Sequence, residues 1–294
     1  MKETWERLKV NMGKIKKIAY INDISGYGRC SMTAAIPVIS AMGVQCCPME
    51  TAVLSNHTGY PSAFFDDYTD RMPAYMEAWK KLGFQFDGIM TGYLGSPAQA
   101  AIVRDFILDF KRENTMLLVD PAMGDNGNLY RICTDEMCEA MKDIIQYADI
   151  ITPNLTEACF LTDTPWSDHG WSRKKLTDLV FRLLMLGPKS VVITGVPRGD
   201  RMENVSCVNG GEVFFTGTRK MGGHFHGTGD IFAAVVAAGT LRNMDLADAV
   251  KLGAAFCSRC IEQTLNDGEP EEEGLSLETC LPYLLRQKHF PSEE

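Results

Sequence analysis

The stretch Gly222-Gly223-His224-Phe225-His226-Gly227-Thr228-Gly229-Asp230 runs straight into the small apolar residues Ile231-Phe232-Ala233-Ala234. Glycines at 227 and 229 let the backbone approach an anion without interference from a Cβ. The first N–H groups of a following helix, with the positive end of its dipole, point at whatever sits there. Asp230 falls among those donors. An acid at a helix start is accounted for equally well by capping. With a glycine-rich turn before it and a small-residue helix after it, the pattern instead reads as a phosphate site in which Asp230 accepts the proton of an attacking hydroxyl. The amides of Thr228, Gly229 and Asp230 would then stabilise charge on a transferring phosphoryl group.

Other polar residues could join such a site. Asp120, Asp125, Asn154 and Glu157 form an oxygen-rich set suited to a hard cation that keeps several waters and bridges phosphates. Each also has a structural reading: Asp120 as a strand-end turn before Pro121, Glu157 as a first-turn helix acid after Pro153-Asn154. Thr152 and Thr194 end strands beside these groups and would face a nucleotide. Asp23, just after the first strand, either lines a ligand crevice or forms the turn before Ser25-Gly26. His57, alone in a turn, serves a ligand or a structural hydrogen bond. His224 and His226 alternate along an extended segment and could face one side as a metal pair, although their place before the glycine turn suits a lid or substrate contact better. Cys257 and Cys260 have metal or redox spacing, but they lie in an apolar helical pattern with no second Cys-x-x-Cys, so they read as small core hydrophobes.

These residues must be positioned by alternating elements. Strands are expected at Ile18 to Ile21, Gly88 to Thr91, Met116 to Val119, Ile150 to Thr152 and Ser190 to Thr194. Helices are expected at Met32 to Met42, Pro97 to Glu113, Thr134 to Tyr147 and Arg173 to Leu186. Alternation of this kind means a parallel sheet, and strands apolar on consecutive positions mean that helices cover both faces. After the turn at Arg198 to Arg201, Val205 to Val208 and Glu212 to Thr216 flank Asn209-Gly210-Gly211, a hairpin signal. The fold class is therefore α/β: a doubly wound, mostly parallel central sheet with helices on both faces and an antiparallel edge. Helices close the chain at Thr228 to Arg242, Asp245 to Thr264 and Leu277 to Gln287, and the acidic run at 268–274 between the last two reads as a solvated loop. Residues 1–16, polar and weakly patterned, read as an extension, and 17–294 as one domain.

Composition narrows the function. The 294 residues are 45% hydrophobic and 23% charged, enough for a large core, and the net charge of −9 leaves no basic face for nucleic acid. No segment approaches the roughly 20 apolar residues of a membrane span. Ten scattered cysteines and no secretory signal pattern suggest a reducing cytoplasm. The expected partner is a small molecule.

Several of these stretches together resemble the ribokinase-like kinases, and within them the pyridoxal kinase branch: Ser55-Asn56-His57-Thr58-Gly59-Tyr60, Thr91-Gly92-Tyr93-Leu94-Gly95-Ser96, Asp120-Pro121-Ala122-Met123-Gly124-Asp125, Ile151-Thr152-Pro153-Asn154-Leu155-Thr156-Glu157 and the glycine turn, in order, within residues 18–260. The resemblance implies a Rossmann-like ribokinase fold and ATP-dependent phosphorylation of the 5'-hydroxymethyl group of pyridoxal, pyridoxine or pyridoxamine. Asp230 is then the catalytic base, and Gly227, Thr228 and Gly229 form the anion hole. Thr51 and Tyr93 contact the substrate ring, with Asp23, His57 and His226 on the same side. Asp120, Thr152, Asn154, Glu157 and Thr194 serve ATP. Glu157 acts on Mg²⁺ largely through water, and Asp120 and Asp125 lie near the phosphates or a monovalent cation such as K⁺. The resemblance also implies a homodimer. Two departures keep alternatives open. The hydroxymethylpyrimidine kinases of thiamin synthesis often carry Cys where His226 stands, which counts against them. They also carry Asp where pyridoxal kinases usually show Ser, and Asp23 there points towards them. A catalytically silent vitamer-binding protein is the other alternative. A nicotinamide oxidoreductase is disfavoured, because no Gly-x-Gly-x-x-Gly follows the first strand.

Overall fold

The computed structural model describes residues 14–130, 133–223 and 225–286. The N-terminal half forms β1 (Lys17–Tyr27), α1 (Ser31–Ala41), β2 (Gln45–Asn56), β3 (Phe65–Asp67), α2 (Met72–Lys81), β4 (Gly88–Thr91), α3 (Pro97–Phe110) and β5 (Met116–Val119). A small hairpin follows, β6 (Gly124–Asp125) and β7 (Asn128–Leu129), then α4 (Asp135–Ile145), β8 (Ile150–Ile151), α5 (Leu155–Leu161) and α6 (Arg173–Leu184). The chain ends in β9 (Ser190–Arg198), β10 (Arg201–Val208), β11 (Phe214–Arg219), α7 (Thr228–Leu241), α8 (Leu246–Asp267) and α9 (Leu281–Leu285). Side-chain caps start the amphipathic helices where the sequence supplies them: Ser96 for α3, Thr134 for α4 and Ser172 for α6 each accept from the backbone N–H three residues on.

Nine strands make one sheet in the order β11-β10-β9-β8-β5-β4-β1-β2-β3. The strands from β2 to β9 in that row run parallel, while β3 pairs antiparallel with β2 and β10 antiparallel with β9 and β11. Both edges are thus antiparallel, where the sequence suggested one. Alternate residues of β1 feed two cores: Ala19 and Ile21 face the layer of α2 to α6, and Ile18 and Tyr20 face the layer of α1, α7 and α8. Helix α7 is small-residue and almost wholly buried, so it lies close against the sheet.

The chain leaves β1 for β2 on one side and returns to β4 on the other, so the switch point of the sheet lies between the C-terminal ends of β1 and β4. Open α/β sheets bind ligands there. The β1–β2 ladder shifts register between Asn22 and Ile24: Asp23 stands opposite two residues, Thr51 and Ala52, a bulge on β2 of the kind that re-aims side chains beside a site.

Three expectations need correction. β2, β3 and α2 were not legible as elements. The last helix is only Leu281–Leu285, because residues 277–280 form a turn ahead of Pro282; Gln287 lies outside the described residues. The acidic run is not a free loop. Residues 271–273 make a 3₁₀ turn whose carbonyls are engaged: Glu272 O accepts from His57 Nε2 at 2.6 Å and Glu273 O from the Arg29 N–H at 2.9 Å. The Glu273 carboxylate also accepts from the Tyr27 hydroxyl at 2.7 Å. Backbone carbonyls and the Glu273 carboxylate together anchor this segment.

Candidate active site

Gly227 caps α7 in the left-handed region, φ +77°, and a Cβ there would lie 2.1 Å from the Arg29 carbonyl oxygen. Only glycine fits that approach, and it turns the chain into the helix directly beside the loop after β1. Gly229 is exposed, with nothing within 4 Å of where its Cβ would be, so the first turn of α7 presents bare backbone to the crevice. Thr228 is fixed by its hydroxyl, which donates to Phe225 O at 2.8 Å.

Asp230 does not cap α7; its carboxylate reaches back to β1 and α1. Oδ2 accepts the Ser31 N–H at 2.8 Å, and Oδ1 accepts from Asn22 Nδ2 at 3.2 Å and from the Tyr20 hydroxyl at 3.4 Å. Ser31 adopts φ +50°, an uncommon conformation for a residue with a side chain, in aiming its N–H there. Burial raises the Asp230 pKa to about 6. The negative charge of Asp23 adds to the rise, and the three hydrogen bonds oppose it. A carboxylate half-protonated near pH 6 is mostly ionised at neutral pH yet basic enough to take a proton, which suits a general base.

Of the residues expected around a substrate ring, Asp23 is 4% exposed and accepts the Ser25 hydroxyl at 3.0 Å. Burial raises its pKa, and hydroxyls of Ser31 and Ser25 partly offset the rise. Thr51 is wholly buried, and its hydroxyl donates to Tyr93 O at 3.0 Å, so it holds the Tyr93 backbone. Among the described residues the buried Tyr93 hydroxyl finds no hydrogen-bond partner. The His57 and His226 rings lie 4.1 Å apart, tilted by 30°. His57 Nδ1 accepts the Gly59 N–H at 3.1 Å, so its proton sits on Nε2 and is donated to Glu272 O. The tip of the acidic turn is thereby tied to His57 after β2. His224 lies outside the described residues, so the suggested histidine metal pair has no structural account.

Of the residues expected to serve ATP, Thr152 donates its hydroxyl to Asp120 Oδ1 at 3.1 Å; Thr194 does not end its strand, as expected, but lies midway along β9, which pairing with β10 carries on to Arg198, and its N–H donates to Pro153 O just past β8 at 2.9 Å. Asn154 and Glu157 form a capping box on α5: Asn154 Oδ1 accepts the Glu157 N–H at 2.9 Å, and Glu157 Oε2 accepts the Asn154 N–H at 2.8 Å. Asn154 Nδ2 reaches Gly124 O at 2.7 Å, and Glu157 Oε1 accepts the Met123 N–H at 3.1 Å, so this box also carries the β6–β7 hairpin. Asp125 lies in that hairpin and binds Asn126. Among the described residues no group of three His, Cys, Asp or Glu side chains stands close enough together to hold a metal. Of the expected ligands, Asp120 and Glu157 act on each other electrostatically. Burial raises the pKa of Glu157, with the charge of Asp120 adding to it, and burial raises that of Asp120, with the charge of Asp230 adding to it. Two buried acids that oppose each other's ionisation are relieved by a cation, and two carboxylates suffice for one that keeps its waters and takes further ligands from phosphate.

Tyr20 and Asn22 were missed in the sequence. Their signal was available: two polar groups at alternate positions of an apolar strand share a face, immediately before an acid. Cys257 and Cys260 are buried in α8, as expected of packing residues.

A sheet of this order, with a glycine-capped helix delivering an acid to its switch point, is the architecture of the ribokinase-like small-molecule kinases. The family profile for phosphomethylpyrimidine kinase matches residues 28–273, and the chain belongs to that family. It is similar to a Bacteroides thetaiotaomicron VPI-5482 protein provisionally named a phosphomethylpyrimidine kinase and solved with pyridoxal, at 40% identity and TM-score 0.89, covering 92% of this chain and 96% of that one. It is 30% identical to the Sus scrofa pyridoxal kinase over 230 residues, 70% of this chain and 69% of the pig protein. It shares the fold of the Leishmania donovani pyridoxal kinase solved with ADP, at 22% identity and TM-score 0.80, over 92% of this chain and 96% of that one. Among the described residues no helix is long and apolar enough to cross a membrane.

Proposed function

We propose that this protein transfers the γ-phosphoryl group of ATP to the 5'-hydroxymethyl oxygen of a B6 vitamer: pyridoxal, pyridoxine or pyridoxamine. The observation that carries the reading is the Asp230 carboxylate, held by β1 and α1 at the sheet's switch point beside the open first turn of α7. The vitamer oxygen attacks the γ-phosphorus, the bond to the β,γ-bridging oxygen breaks, ADP leaves, and Asp230 takes the hydroxyl proton. The amides of Thr228 and Gly229 donate to the phosphoryl oxygens as charge builds on them. Asp120 and Glu157 would hold Mg²⁺, which when bound neutralises charge on the phosphates, and Thr152 keeps Asp120 in place. Asp23 and Tyr93 would meet the ring, with the His57–His226 pair along its edge. Two relatives support the choice of substrate: the 40% identical Bacteroides protein was solved with pyridoxal, and the Sus scrofa relative is a pyridoxal kinase.

A second reading, a hydroxymethylpyrimidine as acceptor, is favoured by the family match itself and by Asp23 within β1. An ATP-consumption assay across the three vitamers, hydroxymethylpyrimidine and ribose separates the two. The proposal expects the highest kcat/KM on a vitamer. A higher value on the pyrimidine or on ribose would replace it.

A further inference from the structure

The geometry points to Asn22 as the positioning residue of this site: a single buried amide that holds Asp230 on one side and the Tyr93 segment of the ring pocket on the other, in a space that only Gly92 leaves open. Asn22 is wholly buried. An asparagine side chain offers two donor hydrogens and two acceptor lone pairs, and all are used. Oδ1 accepts the Asp23 N–H at 2.9 Å and the Tyr93 N–H at 2.7 Å, while Nδ2 donates to the Tyr20 hydroxyl and, at 3.2 Å, to Asp230 Oδ1. The orientation is forced. A flipped amide would set oxygen against the carboxylate and NH₂ against two N–H donors.

One rigid group therefore joins the middle of β1, the segment just after β4 and the start of α7. A Cβ at Gly92 would stand 2.6 Å from Asn22 Cγ and Nδ2 and 2.7 Å from Oδ1, so that glycine makes room for the amide. Tyr20, buried and donating to the same carboxylate oxygen, braces the amide from below. With Oδ1 of Asp230 held by two β1 side chains and Oδ2 by the Ser31 N–H, the carboxyl plane cannot rotate without breaking a bond. The spacing between base and ring wall then passes through Asn22. Nothing in the amide is left over for ligand, so its contribution is geometric.

The kinetic arms of the test rest on the kinase reading. Asn22→Asp keeps the shape but presents oxygen to the Asp230 carboxylate. Gly92→Ala leaves every polar group in place and displaces the amide. Tyr20→Phe removes only the brace. Asn22→Asp and Gly92→Ala are expected to lower kcat about 10- to 100-fold, the usual consequence of an ångström-scale misplacement, and to raise KM for the alcohol while KM for ATP stays constant. Tyr20→Phe should show the same pattern more weakly.

In all three the acid limb of kcat/KM should move to higher pH, because a donor to the base is lost or a like charge added. The titrating groups facing Asp230 are Asp23 and Tyr20 from β1, Cys30 ahead of α1, Asp120 after β5 and Tyr130 after β7. Variants that melt like the wild type and keep its kcat and acid limb would overturn the inference. If a variant at 22 or 92 fails to fold, Tyr20→Phe decides. If the wild type phosphorylates none of the alcohols, the kinase reading fails on its own. The Asp230 carboxyl ¹³C titration in wild type and Tyr20→Phe, assigned with Asp230→Asn, then decides the positioning role, and identical curves would reject it.

Discussion

Replacing Asp230 by asparagine removes the proton acceptor and keeps the shape. The free carboxyl has its pKa raised to about 6. Some 97% is therefore ionised at pH 7.5 and roughly 9% at pH 5, so wild-type kcat/KM for the vitamer should fall about tenfold across that range. In Asp230→Asn that limb should vanish, leaving only the titration of the vitamer and of other groups, and kcat should drop by about 10² to 10⁴. Binding of ATP and vitamer, followed by calorimetry, should change little.

Stability gives an independent check. A carboxyl whose folded pKa lies above its unfolded value favours the fold fully at low pH and loses that contribution as pH rises through about 6. The rise from 3.8 corresponds to about 3 kcal/mol as an upper limit, reduced because the carboxyl is partly accessible to solvent. Asparagine escapes that penalty, but it turns an N–H towards one of three converging donors, at about 1–3 kcal/mol. The two nearly cancel at neutral pH. The sign of the trend is still fixed: the melting temperature of the variant relative to wild type should fall as pH is lowered through 6. A variant keeping more than about a tenth of wild-type kcat, or a relative melting temperature that rises on acidification, would refute the assignment of Asp230 as base.

Gly227→Ala should destabilise the fold by at least about 1 kcal/mol through its positive φ alone, with the Arg29 carbonyl clash added, and should abolish turnover. Gly229→Ala has open space around the new methyl, so it should melt at or above wild type while kcat falls; wild-type kcat in Gly229→Ala would deny the α7 turn its role at the phosphoryl group. Glu157→Gln retains a capping residue and should fold, but should raise the Mg²⁺ concentration for half-maximal rate; an unchanged Mg²⁺ titration returns Glu157 to capping alone. Asp23→Asn should raise KM for pyridoxal severalfold, with a pH dependence that follows the ring nitrogen, and leave KM for ATP unchanged, since a charge-assisted hydrogen bond is roughly twice as strong as a neutral one; two wild-type Michaelis constants across that pH range would leave Asp23 a structural residue of β1 that holds Ser25.

The sequence by itself determined the elements whose signal is local. Apolar runs at Ile18, Met116 and Ser190 form strands, Asn209-Gly210-Gly211 turns a hairpin, and Gly227-Thr228-Gly229-Asp230 opens a buried small-residue helix. It did not show β2, because Pro48 and Glu50 interrupt the pattern. Pro48 is tolerated because β3 pairs only with Ala52 to Leu54 further along, leaving the strand an open edge there. Nor did it show which groups Asp230 would meet. Asn22 and Asp230 are 208 residues apart, and no periodicity within a helix or strand records a contact of that separation. The same holds for His57 and Glu272, 215 residues apart, which turned an expected solvated loop into a docked turn. Local sequence fixes φ, ψ and the buried face of each element. Which hydrogen-bond donors surround a carboxylate depends on how the sheet orders its strands, and that order is decided only when the whole chain packs.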